Sequence, residues 1–282
     1  METLEGQVYP LTENTLTFTT TAMPRPDLIK KTYDSFTKNM LEFDFKKATL
    51  YINVDRFPDG RDDDKRKEVV EVARNYFGNV IANLPENPNF AQAVRWCFSK
   101  IETYYNFHLE DDWELLVPVK VSVFNQFFLS PIVQQIALRA WKNVKGNFYL
   151  SPSFLRGTFC REMAENMNDV DNPEVQIRNM KPNYKGGGFL YFPFEPRAVI
   201  IRDLGREWMK KNQYNRGSQN FVQWSNLVPG KGREVLADQN AQIPMEMLPT
   251  NPNDKRLAAM NRWVKAYSKQ RAIKLNRRGK IT

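Results

Sequence analysis

Residues 104–114 read Y-Y-N-F-H-L-E-D-D-W-E, and the fold that we predict follows from this stretch. Its first half, 105–109, has the aromatic and apolar side chains that are typical of a buried strand. Three acids follow directly, Glu110, Asp111 and Asp112. Ligands of open α/β sheets bind where the strands end, so we expect these carboxylates to lie at a ligand site.

The three acids predict a metal site. Adjacent carboxylates repel one another unless a cation lies between them, and their hard oxygen atoms suit Mg²⁺ or Mn²⁺. A solvated acidic turn is the alternative, because most charge runs face solvent. The preceding strand and Trp113 favour the metal site, with Asp112 as the direct ligand and Glu110 beside it.

The same residues resemble the signature of a known family. Glu110-Asp111-Asp112 after the apolar strand 107–109 resembles the metal-binding DXD motif of glycosyltransferases with the GT-A fold, and L-E-D-D-W is similar to family 2 and its relatives. This resemblance implies an α/β fold with a mostly parallel sheet flanked by helices. It also implies a Rossmann-like nucleotide-binding half, an acceptor half, and a nucleoside diphosphate sugar, with UDP as the expected nucleotide.

Length and composition predict a globular protein. The chain has 282 residues, of which 41% are hydrophobic and 13% are aromatic. Only two cysteines occur, which indicates a reducing compartment, and we expect the cytoplasm (that of the host if the chain is viral). We find no signal-peptide pattern and no apolar run of about 18 residues.

The first 115 residues predict three strand–helix units followed by the acidic strand. The residue types predict strands over 15–21, 48–54, 79–84 and 105–109. Apolar residues at helical spacing predict helices within 27–40, 69–76 and 90–104. This alternation indicates a parallel sheet with helices on its faces, in the order that the resemblance implies.

The resemblance also implies the residues that hold the donor. The turn after the first strand would bind the nucleotide through Thr21 and Arg25, and Asp55 after the second strand would read the base. Asn89 and Arg95 would lie near the nucleotide at the start of the third helix. Asp111 would touch the donor sugar or ribose and take part in catalysis.

The second half predicts an acceptor region. Residues 117–141 have a mainly helical pattern, 146–150 predict a strand, and 151–153 predict a turn. An inverting transferase needs a carboxylate as general base, for which Glu174 is the first candidate and Glu162 the second. Asp169 and Asp171 compete with them.

Later residues predict a flexible hinge, two strands and a helix. The hinge is K-G-G-G at 185–188, the strands are 189–194 and 198–201, and the helix begins at 202 with R-D-L-G-R-E-W. We therefore predict one catalytic domain over 1–254, with a donor half at 1–116 and an acceptor half at 117–254.

A basic C-terminal tail, 255–282, carries the whole excess of positive charge. Ten of the 41 lysines and arginines lie there, and no acid does. Residues 253–275 predict a basic amphipathic helix, which binds nucleic acid, an anionic membrane or the catalytic domain. The predicted nucleic-acid contacts are Arg262, Lys265, Lys269, Arg271, Lys274, Arg277 and Arg278.

Three functions follow, and the sequence leaves them open. The first is transfer of a glucosyl or arabinosyl group to hydroxymethylated pyrimidines in DNA, because the chain resembles DNA-modifying transferases of tailed phages. The second is a peripheral-membrane transferase that builds cell-surface glycan or lipid-linked sugar. The third is a non-catalytic nucleic-acid-binding protein whose acids are structural.

Overall fold

The computed structural model describes residues 9–57, 60, 62–139, 148–180, 188–193, 199–212, 214–215 and 228–229. The strands are Leu16–Ala22 (β1), Met40–Leu41 (β2), Thr49–Val54 (β3), Asn79–Asn83 (β4), Tyr105–His108 (β5), Trp113–Leu115 (β6), Val119–Lys120 (β7), Gln135–Leu138 (β8), Ser153–Arg156 (β9), Phe189–Phe192 (β10), Ile201–Asp203 (β11), Tyr214–Asn215 (β12) and Val228–Pro229 (β13). The helices are Pro26–Asn39 (α1), Lys65–Arg74 (α2), Phe90–Ser99 (α3), Asn125–Phe128 (α4), Gly157–Asn166 (α5), Pro173–Met180 (α6) and Leu204–Lys211 (α7).

A sheet of seven strands lies at the centre, in the order β10-β8-β9-β5-β1-β3-β4. β9 pairs antiparallel with β5 and β8, and the other neighbours pair parallel. The six parallel strands therefore end at one edge of the sheet, which we call the carboxyl edge. A separate antiparallel pair, β6 with β11, begins just beyond that edge.

The two faces of the sheet differ in polarity, because side chains alternate along each strand. One face adds apolar residues to the main core, namely Phe18, Leu50, Ile52, Phe107 and Phe154. The other face carries the buried polar residues Thr19, Asn53, Asn106, His108 and Ser153. Helices α3 and α5 cover this polar face, where Cys97 donates to the Thr20 carbonyl and Asn106 donates to Cys160 Sγ.

The predicted α/β class and the strand–helix alternation of the first 115 residues are confirmed. Within the described residues, no helix has the length and apolar character that a membrane span requires. The division into a catalytic domain and a tail stays a prediction, because the tail lies outside the described residues.

The prediction for residues 117–141 is wrong. This segment holds β7, a 3₁₀ turn at Val121–Phe124, the single turn of α4 and β8, the second strand from one end of the sheet. All four residues of β8 are buried, so the strand has no polar alternation that would distinguish it from a helix. The strand predicted over 146–150 is also misplaced, since the described residues 148–150 are irregular and the strand is Ser153–Arg156.

Candidate functional site

The acid turn, Glu110-Asp111-Asp112, follows β5 at the carboxyl edge. Its backbone is bonded to β1, because the Leu109 N–H donates to the Thr19 carbonyl (2.9 Å) and the Asp111 N–H donates to the Thr21 carbonyl (3.3 Å). Thr32 on α1 donates its hydroxyl to the Asp111 carbonyl (2.9 Å). The structure thus brings the predicted residues Thr21 and Asp111 together.

Arg25 and Asp111 form a buried ion pair beside Asp112. The guanidinium donates from Nε to Oδ2 (3.1 Å) and from Nη2 to Oδ1 (2.5 Å) of Asp111, and the Met23 N–H adds a bond to Oδ2 (3.0 Å). Arg25 Nη2 lies 3.4 Å from Asp112 Oδ2. The exposed fractions are 7% for Arg25, 3% for Asp111 and 7% for Asp112, so water screens these charges little.

Burial sets the protonation of this cluster. Burial raises the pKa of Asp111 to about 6, while Arg25 opposes the increase and Asp112 adds to it. Burial also disfavours the charged form of Arg25, but Asp111 and Asp112 outweigh this effect and its pKa lies above the ordinary value. One guanidinium thus faces two acidic side chains, an excess of acids over bases that favours a cation.

The acids of the turn differ in what they can offer a metal. Asp111 accepts three hydrogen bonds from Arg25 and Met23, and Glu110 accepts one from Trp113 Nε1 (2.9 Å). Within the described ranges no group of three histidine, cysteine or acidic side chains could hold a metal ion. The donor set nevertheless fits Mg²⁺ or Mn²⁺, which often take one or two carboxylates and complete their shell with phosphates and water.

A polar cavity of about 340 Å³ lies at the carboxyl ends of β3 and β4, against α3, and its described lining residues do not include the acid turn. Its lining includes Asn53, Asp55, Asn83, Asn89, Gln92 and Arg95, so three predicted donor residues share one cavity. A hydrogen-bond chain runs from Asn83 Nδ2 to Asn53 Oδ1 (2.6 Å) and from Asn53 Nδ2 to Asp55 Oδ1 (2.8 Å). The Asp55 N–H donates to the Ala22 carbonyl (2.9 Å), which joins this cavity to the loop that contains Arg25.

Asn89 and Arg95 have structural partners at the rim of this cavity. Asn89 caps α3, because its side-chain oxygen accepts from the Gln92 N–H (3.1 Å), and its amide donates to the Asp169 carbonyl (2.9 Å). Arg95 Nη1 lies 2.9 Å from Asp169 Oδ1. Asp169, considered above as a competing general base, therefore contacts Asn89 and Arg95 at the rim of the cavity.

Helix α7 covers the acid turn. The Leu204 N–H donates to the Asp112 carbonyl (2.7 Å), and Gly205 packs against the Asp112 carboxylate so closely that a Cβ there would overlap it. The Trp208 ring lies over the Arg25 guanidinium (5.2 Å) and stacks on Phe57 (6.0 Å between centroids). The motif D-L-G-R-E-W predicts the helix but gives no sign of this position.

Replacing Gly205 with alanine is expected to destabilise the protein by about 1–3 kcal/mol, because the added methyl must displace α7 or the Asp112 carboxylate. Urea unfolding measures this loss. The exposed neighbour Glu207 provides the control, since Glu207→Ala should change the free energy of unfolding by less than about 0.5 kcal/mol. Equal stability of the two variants would contradict the close packing.

No family model matches the chain, and no curated protein matches it either. Among solved structures, the chain is similar to residues 1–349 of S. aureus TarS, with 12% identity and a TM-score of 0.43 over 64% of this chain and 59% of that one. It is similar to the mannosyltransferase PcManGT from Pyrobaculum calidifontis, solved with GDP-Man and Mn²⁺ (11% identity, TM-score 0.45, 74% of this chain and 64% of that one).

A third similar structure is a cytidylyltransferase from Leptospira borgpetersenii (8% identity, TM-score 0.42, 76% of this chain and 92% of that one). The chain spans less than two thirds of the length of the first two structures. Because all three TM-scores are below 0.5, the function is inferred from the residues of the site.

The two predicted catalytic bases lie apart from the acid turn and are not among the residues that line the cavity. Glu174 on α6 accepts from the Leu150 N–H (2.8 Å) and from Arg178 Nη2 (3.0 Å). Glu162 lies on α5, which packs against α3. Asp203 lies near the acid turn, because it pairs with Trp113 in the β6–β11 ladder and caps α7. No local sequence pattern indicates this proximity.

The predicted hinge residues 185–187 and the basic contacts Arg262, Lys265, Lys269, Arg271, Lys274, Arg277 and Arg278 lie outside the described residues. These assignments stay predictions.

His108 is a buried residue of β5, within the stretch 105–109 for which a buried strand is predicted. Its Nδ1 lies 3.0 Å from Thr19 Oγ1, and its ring packs edge-on against Phe98. Burial lowers the pKa of His108 to about 3, so the imidazole stays neutral in the folded state.

The chain is expected to lose stability in acid through His108, because the unfolded imidazole takes up a proton below about pH 6.5 and the folded one does not. Between pH 7.5 and 5.0 this amounts to about 2 kcal/mol, which His108→Leu should remove. Urea unfolding at both pH values measures the difference. Thr19→Val, which removes the same contact without an ionisable group, should keep the full loss; an unchanged loss in His108→Leu would contradict the assignment.

Proposed function

We propose that the chain is a metal-dependent glycosyltransferase that moves a sugar from a nucleoside diphosphate sugar, with UDP as the nucleotide, to a hydroxyl acceptor. The observation that supports this proposal is Asp112 in a buried cluster of two acids and one arginine at the carboxyl edge, where the Asp55–Ala22 hydrogen bond joins the Arg25 loop to a polar cavity. Sheets of this kind bind their ligands at that edge.

The cavity suits the nucleoside. Its volume of about 340 Å³ lies in the range of small-molecule sites. Nucleobases carry hydrogen-bond donors and acceptors, which the Asp55 carboxylate and the amides of Asn83 and Asn89 complement. Arg95 at the cavity and Thr21 at the end of β1 would contact the ribose and the phosphates. The Asn83–Asn53–Asp55 chain fixes which edge of each amide faces the base.

Glycosyl transfer needs a stabilised leaving group, since breaking the anomeric bond builds positive charge on the sugar and negative charge on the diphosphate. Mn²⁺ or Mg²⁺ held by Asp112, with Glu110 as the predicted second ligand, would offset the charge of the diphosphate. Asp111 holds Arg25 and the loop after β1 in place, and thereby positions Asp112. Trp208 and α7 exclude water from this cluster.

The acceptor hydroxyl requires a base. Glu174 remains our first candidate and Glu162 our second. As a base, Glu174 would have to exchange its contact with Arg178 for the acceptor hydroxyl.

We propose DNA as the acceptor, with a hydroxymethylated pyrimidine as the modified base and glucose or arabinose as the sugar. The basic tail supports this choice, because lysines and arginines bind the phosphate backbone. The reaction would then take place in the cytoplasm, that of the host if the chain is viral. Reaching a base inside a duplex requires that it flips out of the stack.

A thermal-shift screen of nucleoside diphosphates, with and without Mn²⁺, tests the donor. UDP together with Mn²⁺ is expected to raise the melting temperature, because a ligand at 100 times its Kd stabilises the folded state by about 2.7 kcal/mol. UDP without the cation should have a smaller effect. Absence of a shift with every nucleoside diphosphate and Mn²⁺ would falsify the proposal.

A further inference from the structure

A second group of side chains lies beside β8 and β10, on the far side of β9 from the acid turn. We call it the Arg–Tyr cluster; it consists of Arg139, Tyr149, Arg178 and Tyr191. Arg139 directly follows β8, which ends at the same edge as β5 because the two strands run in the same direction. Two strand spacings, or about 10 Å, separate β5 from β8.

The cluster is built in layers. The Arg139 guanidinium lies 4.1 Å from the centre of the Tyr149 ring, and the Arg178 guanidinium lies 4.6 Å from it. The Tyr191 ring lies 5.9 Å from the Tyr149 ring. Each of the four residues is partly exposed, so the cluster is open to a ligand.

Several hydrogen bonds hold these layers in place. Gln135 of β8 donates from Nε2 to the Tyr149 carbonyl (2.5 Å), and Arg178 donates from Nε to the Phe148 carbonyl (2.9 Å). The Arg139 N–H donates to the Phe192 carbonyl of β10 (2.9 Å). The cluster is thus preformed, and a ligand need not order these side chains on binding.

The two arginines differ in their charge partners. Arg178 pairs with Glu174 at 3.0 Å, which offsets its charge. For Arg139, the part of the chain that the structure describes provides an aromatic face and no carboxylate. The cluster therefore offers an uncompensated positive charge on a flat, partly exposed guanidinium.

We propose that the Arg–Tyr cluster binds the acceptor as a nucleic-acid strand, with Arg139 contacting a phosphate or stacking on an unpaired base beside the modified nucleotide. Guanidinium and aromatic planes bind unstacked bases, and an unpaired guanidinium binds phosphate. A lipid headgroup supplies a phosphate but no ring to stack, so the layered arrangement favours nucleic acid. This inference rests on the proposed function, because it names the acceptor of the same site.

Binding of a labelled single-stranded DNA oligonucleotide to the full chain, measured by fluorescence anisotropy over a range of salt concentrations, tests the proposal. Arg139→Gln is expected to raise Kd about 3- to 10-fold and to lower the salt slope by about 0.7, the value for one lost phosphate contact on a single strand. Arg74→Gln, which removes an exposed arginine on α2, is the matched control and should leave both values unchanged.

Two further measurements in the same variants, the thermal shift with UDP and Mn²⁺ and binding to anionic vesicles, show whether the cluster proposal or the donor proposal has failed. If Arg139→Gln binds DNA as tightly as the original chain while UDP and Mn²⁺ still shift the melting temperature, the cluster proposal is wrong and the donor proposal stands. If Arg139→Gln weakens binding to vesicles with anionic lipid and leaves DNA binding unchanged, the cluster is a membrane site and the proposal is likewise wrong. Weaker DNA binding by Arg139→Gln without any nucleotide effect supports the cluster and counts against the donor site.

Discussion

Asp112→Asn is expected to abolish cation-dependent donor turnover, by at least about 100-fold, while the protein remains folded. A metal contributes several kcal/mol of charge stabilisation in such reactions, and each 1.4 kcal/mol is a factor of ten in rate. Asp112 has one contact with Arg25, at 3.4 Å, whereas Asp111 accepts three hydrogen bonds from Arg25 and Met23, so the substitution would remove the proposed main ligand. Release of UDP from UDP-sugar, titrated with Mn²⁺, measures the effect.

The fold should tolerate this change, because Arg25 keeps its pairing with Asp111. The variant also removes a negative charge that raises the pKa of Asp111, so that pKa should fall. Asp27→Asn, an exposed acid in the first turn of α1, is the matched control and should retain full activity. Full activity of Asp112→Asn with unchanged Mn²⁺ dependence would remove the catalytic hypothesis.

Arg25→Met is expected to lower the free energy of unfolding by about 3–5 kcal/mol, which is typical when one partner of a buried ion pair is removed. The Asp111 carboxylate is only 3% exposed, and in the variant it would keep the Met23 N–H bond but lose its charged partner. Its pKa, already raised to about 6, should rise further. Urea unfolding at pH 7.5 measures the loss.

The same variant has a pH signature. Because the folded pKa of Asp111 would lie far above its unfolded value, protonation in acid relieves the penalty, and the loss should be smaller at pH 5.0 than at pH 7.5. Lys30→Met breaks an exposed pair with Asp34 and should leave stability nearly unchanged at both pH values. If Arg25→Met lowers the free energy of unfolding no more than Lys30→Met does, the buried ion pair does not stabilise the loop after β1.

The donor half could be predicted because its signals are local. Helix α1 has apolar residues at helical spacing after two prolines, and β1 and β3 are rich in β-branched and aromatic residues. The spacing of apolar residues along a helix or strand can be read from the sequence without knowing which strand pairs with it. Between residues 117 and 141 these signals are absent, because β8 is buried on both faces and α4 is a single turn.

The contacts that assemble the site could not be predicted, because they join distant segments. Arg25 and Asp111 are 86 residues apart, and their pairing depends on the parallel alignment of β1 with β5. The position of α7 depends on the pairing of β6 with β11, for which the sequence has no local pattern. A single glycine such as Gly205 has no special meaning until the carboxylate beneath it is known. Similarly, nothing local indicates that Arg139 and Arg178 share the ring of Tyr149.

The dependence of Asp112 on α7 has a consequence for how the protein matures. The donor half leaves the ribosome first and contains strands that can pair as they emerge, since domains form largely in the order of synthesis. Asp112, however, receives its backbone partner and its cover only from residues 204–208. A nascent chain halted before these residues would therefore leave the acid turn uncovered, and the environment of Asp112 would be completed among the last steps of folding.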